Sequence, residues 1–239
     1  MSDDDIVHGR FARLKCSTMQ ILESMDGRGL LALAGVIAPI MLLITSLLAT
    51  SYATNYNVFR NSISDLELTP GGYIQVIGLI IDGVLVEAFI TGLALNVQRK
   101  RDFSLAIGCL AIFGLGLFLL GAFKPNPTSV SGTVHLVTAF SIFGLFPFAL
   151  FFMLPSLRQD SNWQGIFAYT VIAGLLGLGL DLSRLFMPGI LNLFGLYERV
   201  LVFNAMVWFE VVAIWLLLLT VRRRKDGGKA NNFSSNFCK

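Results

Sequence analysis

Six stretches of the chain, 29–53, 72–97, 103–123, 133–154, 166–186 and 197–221, are each long and apolar enough to cross a bilayer. A crossing helix needs about 20 mostly apolar residues to cover ~30 Å of hydrocarbon. There is no water in that layer to satisfy backbone N–H and C=O groups, so a spanning segment must satisfy its own, as a helix does. The expected fold class is therefore all-α: a polytopic membrane protein built as a six-transmembrane-helix bundle. The spans take up most of the 239 residues and leave no room for a separate soluble domain. One membrane domain, 29–221, is expected between a cytoplasmic N-terminal segment, 1–28, and a basic disordered cytoplasmic tail, 222–239. The charged fraction of 14% agrees, being well below the roughly 25% of a soluble chain.

Basic residues set the orientation. With the amino terminus inside, fourteen of the 18 Lys and Arg residues fall on the inner side: Arg10, Arg13, Lys15, Arg28, Arg99, Lys100, Arg101, Arg158, Arg222, Arg223, Arg224, Lys225, Lys229 and Lys239. Only Arg60, Lys124, Arg184 and Arg199 fall outside. Short loops rich in Lys and Arg stay cytoplasmic, which places both termini in the cytoplasm and the protein in the cell membrane. No basic helix carries interleaved base-reading aromatics, so nucleic acid is not an expected partner. Cys16, Cys109 and Cys238 fall toward the cytoplasmic half, without metal-type spacing or a disulfide partner in the outer loops.

Before the first span, Val7, Phe11, Leu14, Thr18, Leu22 and Met25 recur at helical spacing among basic residues. That pattern predicts an N-terminal amphipathic interfacial helix over 6–25, lying on the inner leaflet. Pro39 and Pro147 are expected to kink the first and fourth spans. Stripes of small residues mark the faces that turn inward, because close packing joins helices in lipid. They comprise Gly83, Glu87, Thr91 and Ala94 in the second span, Gly108, Gly114, Gly116 and Gly121 in the third, and Gly174, Gly177, Asp181 and Arg184 in the fifth.

Ionisable groups at membrane depth are costly, about 2.5–3.5 kcal/mol for an Asp or Arg at a helix centre even on insertion-based scales. Asp82 falls roughly 15 Å into the second span, with Glu87 deeper and Glu210 in the sixth. The remaining ionisable groups converge toward the outer boundary: His135, Asp181, Arg184, Glu198 and Arg199, joined by Arg60, Asn61, Ser64 and Asp65 from the first connection. They can form a polar pocket open to the outside or a network of ion pairs that locks loops to helix ends. Asp181 and Arg184, three residues apart, suit a local pair. No haem, retinal, nucleotide or voltage-sensor pattern is present, and a single histidine makes a poor zinc site, so no cofactor or metal is expected.

Three segments, NSISDL at 61–66, GTVHLVTAF at 132–140 and GLYERVLVFNAMVW at 195–208, together resemble the prokaryotic six-helix membrane family known as domain of unknown function 998. The resemblance covers roughly 30–220 and falls on Asn61, Ser64, Asp65, Gly132, His135, Arg199 and Trp208. It implies the six-helix fold and these positions, and no activity. Where relatives tend to carry an acidic residue after the third span, this chain has KPNP at 124–127. In a purely structural role, Asp65 would pair with Arg199 while Ser64 and Asn61 cap a short helix.

Three functions remain open at this level. The first is a binding or transport-related protein holding a lipid headgroup or small polar molecule, with Arg199 and Arg184 on an anion and Asp65 and His135 orienting it. The second is a membrane-embedded lipid hydrolase or transferase with His135 as base and Ser64 or a water as nucleophile. The third is a structural subunit of a membrane complex. Membrane lipids are expected partners throughout, and oligomer or partner subunits stay open.

Overall fold

The computed structural model describes residues 27–97, 101–186 and 192–236, with side chains described for 27–97, 101–183, 186 and 192–222. Six long helices account for nearly all of it: α1 Gly27–Tyr52, α2 Gly72–Asn96, α3 Arg101–Ala122, α4 Val130–Gln159, α5 Phe167–Phe186 and α6 Phe194–Asn236. All six are long and apolar enough to cross a membrane, α6 over its portion Phe194–Arg222. Two short 3-10 turns, Ser64–Leu68 and Gln164–Ile166, complete the elements, and no strand occurs among the described residues. The amphipathic helix expected over 6–25 lies outside the described residues, and the first described helix, α1, is apolar. The tail, expected without fixed structure, is helical as far as Asn236. A span already nucleates the helix, and the good helix formers Arg222 to Lys225 extend it at little cost.

The helices form a ring. Each of α1 to α5 packs on the next, and α6 closes the circle against α1 and, less extensively, α5. With six spans in sequence, the start of α1 and the end of the membrane portion of α6 lie on one face of the ring. The opposite face, here the loop face, carries the connections 53–71 and 123–129. Outward side chains are large and apolar, among them Leu43, Leu47, Ile172 and Phe203, all more than half exposed. A belt of that kind suits hydrocarbon and would be a liability in water.

α1 turns a mostly small-residue face inward, with Ala32, Gly35, Ala38, Leu42, Thr45 and Ala49 buried at steps of three and four. A Cβ on Gly35 would fall 2.5 Å from the Phe89 ring, so the bare glycine is what lets α2 lean on α1. At the ring's centre, Phe89 of α2, Phe113 of α3, Phe146 of α4 and Trp208 with Phe209 of α6 form one aromatic cluster. Phe113 and Phe209 lie 5.3 Å apart between ring centroids, and Phe89 meets Phe209 edge-on at 5.9 Å. Edge-to-face and tilted pairs at 4.5–7 Å contribute ~0.5–1.5 kcal/mol each beyond area burial.

The expected glycine faces are partly confirmed. Gly83 meets the backbone of α3 at Gly114 and Phe118, and Gly121 meets Val76, so α2 and α3 touch backbone to backbone. Gly116 packs on Ile142 of α4, whereas Gly108 faces open space. Pro39 and Pro147 lie inside helices that continue past them, and α4 also contains Pro155. Replacing Gly83 by Val should drive a side chain into the α3 backbone, lowering stability by roughly 1–3 kcal/mol, while Gly108→Ala is neutral. Thermal unfolding of both variants in mild detergent checks this; equal losses would contradict the assigned α2–α3 contact.

Candidate functional site

The loop face is closed by the 53–71 connection, and α6 holds it there. Gly195, in the first turn of α6, lies so close to that connection that a Cβ would fall 2.2 Å from the Asn61 carbonyl. One turn on, Arg199 Nη1 donates to the carbonyls of Val58 (2.7 Å), Asn61 (2.9 Å) and Gly195 (2.8 Å). Its Nη2 donates to the Tyr56 hydroxyl, and the guanidinium lies 5.6 Å from the Tyr56 ring centroid. Tyr56 in turn donates to the Ser62 carbonyl at 2.7 Å. Burial pushes the Tyr56 phenol up from its usual value, with Arg199 pulling the other way. A planar fork of donors suits this work, and the ammonium of lysine would not.

The expected Asp65–Arg199 pair is not formed. Asp65 instead makes a reciprocal pair with Ser62: Ser62 N–H donates to Asp65 Oδ2 at 2.8 Å, and Asp65 N–H donates to Ser62 Oγ at 2.9 Å. These reciprocal bonds follow the pattern of a capping box just ahead of the Ser64–Leu68 turn, whose N-cap position is Ile63. The side chain paired with Asp65 is Ser62, and neither Ser64 nor Asn61 caps the turn. The Asn61 side chain accepts from the Asn57 N–H at 2.8 Å and shapes the loop before the turn. Arg199 goes to carbonyls because the loop presents two of them, those of Val58 and Asn61, beside the first turn of α6, where the Gly195 carbonyl is also within reach.

Glu198 reaches the same turn from below. Its carboxylate accepts from the Ile63 N–H and, at 3.4 Å, from the Ser64 hydroxyl. Under these groups lies a cavity of about 30 Å³ on the inside of the ring, walled by Leu42, Leu79, Leu117, Leu120, Phe143 and Val202. Ser64 and Glu198 are the polar residues on its lining. A water needs about 10–15 Å³ by this measure, so the space suits one or two water-sized groups.

Glu67, at the far end of the turn, is 2% exposed, and neither carboxylate oxygen has a hydrogen-bond partner. Burial pushes its carboxyl up to about 8, with Lys124 acting to lower it and Glu198 to raise it further. The turn is seated by Gly72, where a Cβ would fall 2.3 Å from the Glu67 carbonyl.

His135 is buried on α4, with Nδ1 2.6 Å from the Phe123 carbonyl. A carbonyl only accepts, so Nδ1 carries the hydrogen; Nε2 is buried without a partner and, in the neutral ring, presents its lone pair. Asp65 lies within electrostatic range of the ring. The Ser64 hydroxyl donates to Glu198, so a serine–histidine dyad is not assembled. The backbone around His135 is set by Ser129, which caps α4 through the Gly132 N–H at 3.1 Å. Among the described residues no three His, Cys, Asp or Glu side chains are grouped as metal ligands.

The structure thus gathers Asn61, Ser64, Asp65, Glu198 and Arg199 at one place, with His135 beside them. Asp181 is on α5, next to Leu180, whose carbonyl accepts from Tyr197 at 3.0 Å. The Arg184 side chain, the expected partner of Asp181, lies outside the described residues. The three membrane acids are separate: Asp82 points into the ring, Glu87 lies across Gly114, and Glu210 is half-buried on α6. Sequence reasoning passed over Tyr56, Ser62 and Glu67. Ser62 and Glu67 stand within or beside NSISDL, and the serine-to-aspartate spacing of three was the available sign of the box.

A family model described as a protein of unknown function, DUF998, matches residues 36–215. Neither the curated proteins nor the solved structures give a match to the chain.

Because its folded value lies above the ordinary 4.5, Glu67 favours the fold in its neutral form. That stabilisation is complete below about 4.5 and is lost as pH rises through about 8. Glu67→Gln should flatten the fall of the unfolding temperature across this window. An unchanged slope in the variant would show that Glu67 is not the titrating group.

Proposed function

The chain belongs to the DUF998 family of membrane proteins, and from that premise we propose that it binds a small polar group at the loop face, in the cavity beneath Ser64 and Glu198. The observation that carries this reading is the lining itself: an otherwise apolar chamber inside the ring, with a hydroxyl and a carboxylate on its wall. Ligand sites are commonly of this type, apolar with a few placed polar groups. Arg199 is engaged with carbonyls and a phenol of the loop and is not on the cavity lining, so Ser64 and Glu198 are the polar groups a ligand there would meet. The bound group is then a hydrogen-bond donor, such as an amine, carried by a lipid headgroup or a free small molecule. The chamber takes the tip of such a ligand, and its position inside a ring of spans suits a transport-related role. Orientation follows from the Lys and Arg distribution: termini in the cytoplasm, loop face outside, in the cell membrane.

A second reading, a structural subunit, has one observation in its favour. The bonds of Arg199 hold the loop without any ligand. The hydrolase alternative lacks a contact between His135 and Ser64 on which to build.

Mass spectrometry of molecules retained in mild detergent separates the two readings. Wild type should retain an amine-bearing species that Glu198→Gln loses and Ser64→Ala retains less well, with unfolding temperatures similar in all three. Gln keeps one acceptor for the Ile63 N–H, so the cap survives. Identical retained molecules in every variant would favour the structural reading, and free-amine spikes against defined lipids would distinguish the two ligand sources.

A further inference from the structure

Asp82 is an acid that neither the cap nor the proposed ligand site uses. It is 0% exposed, and neither Oδ1 nor Oδ2 has a hydrogen-bond partner. The residue stands ten positions into α2, roughly 15 Å along the axis and thus near mid-membrane. The elements packed against α2 are α1, α3, α6 and the Ser64–Leu68 turn. Among residues with described side chains, the titratable groups on these elements and on α2 itself are Arg28 and Tyr52 of α1, Asp65 and Glu67 of the turn, Tyr73 and Glu87 of α2, Arg101, Asp102 and Cys109 of α3, and Tyr197, Glu198, Arg199, Glu210 and Arg222 of α6. No charged group among the described residues acts on Asp82. An ionised carboxylate in an apolar interior must be compensated by donors or a counter-charge, and Asp82 has neither.

Its place on α2 supplies the second, geometric observation. Gln75, Leu79 and Asp82 share one inward stripe at steps of four and three, all buried. Leu79 is a wall of the cavity under Ser64 and Glu198. Gln75, one turn nearer the loop face, is also 0% exposed, and its Nε2 has no partner. The cavity lining thus reaches Leu79, three residues from Asp82 on the same stripe. Water-sized space and the Glu198 carboxylate lie at one end of that stripe, and an uncompensated carboxyl at the other.

We propose that Asp82 is a reversible proton-binding site at mid-membrane, reached from the loop face through the cavity beneath Ser64 and Glu198. Rotation of Leu79 opens the last turn. One proton then moves between water in the cavity and an Asp82 oxygen, which alternates between carboxyl and carboxylate. This inference stands independently of any ligand at Ser64 and Glu198.

Infrared difference spectroscopy on the full chain in phosphatidylcholine vesicles, stepped through pH and exchanged into deuterated buffer, tests it. Wild type should show a carboxyl C=O band that titrates and shifts with deuterium. Asp82→Asn should lose the band and Asp82→Glu should move it, the second assigning it if the first folds poorly. Leu79→Trp, which fills the cavity wall, should slow the deuterium shift. No band assignable to residue 82, or one that neither titrates nor exchanges, overturns the proton site. A titrating band whose exchange is as fast in Leu79→Trp as in wild type overturns the route through the cavity.

Discussion

The Arg199 guanidinium, fixed in the first turns of α6, is what holds a cap over the loop face of the ring. The 53–71 connection crosses the loop face with carbonyls that no helix or sheet satisfies. Leaving such groups unpaired costs about 1–3 kcal/mol each when buried. Arg199 satisfies the carbonyls of Val58, Asn61 and Gly195 together and binds Tyr56, and Gly195 supplies the clearance that brings the loop within reach. Everything that follows on that face depends on this clamp. The Ser62–Asp65 box can form because the loop is held still, Glu198 can meet the turn from below, and the cavity acquires its roof.

Beneath the roof the ring is assembled by contrast in side-chain size. The small face of α1 and the glycines of α2 and α3 let backbones approach, and the aromatic side chains of α2, α3, α4 and α6 fill the centre. Lipid removes the hydrophobic force that would press soluble helices together, so this fit has to supply the association. It also defines where polarity is tolerated. Between the aromatic cluster and the cap there is room for a small chamber, and the inward stripe of α2 runs beside it from Gln75 to Asp82. An acid with no partner in so tightly packed a ring is a standing cost, which is the physical reason to attach a function to it.

Much of the fold could be read from composition alone. Six apolar runs became six helices, with ends displaced by a few residues at most except where α4 continues through Pro155 and α6 past 221. The site was legible in place more than in role. Asn61, Ser64, Asp65, Glu198 and Arg199 do come together, because they flank the one long connection and the start of the helix it rests on. Their partners were misassigned, since charge invites pairing Asp65 with Arg199, whereas backbone groups at a loop and a helix end compete for both. Sequence carries no sign of an orphaned carbonyl, so the clamp was invisible. Glu67 was missed for a related reason: a glutamate between leucines in a short turn reads as surface, and only the seating of the turn on Gly72 buries it.

The clamp is tested most directly by hydrogen–deuterium exchange of the wild type and Arg199→Lys in lipid nanodiscs. The account predicts that residues 57–68 lose protection in the variant while amides of α2 to α4 keep theirs, because lysine retains the charge and loses the fork. Protection of 57–68 that is unchanged in Arg199→Lys would mean the loop is held by something other than the guanidinium, and the roof over the cavity would need another cause.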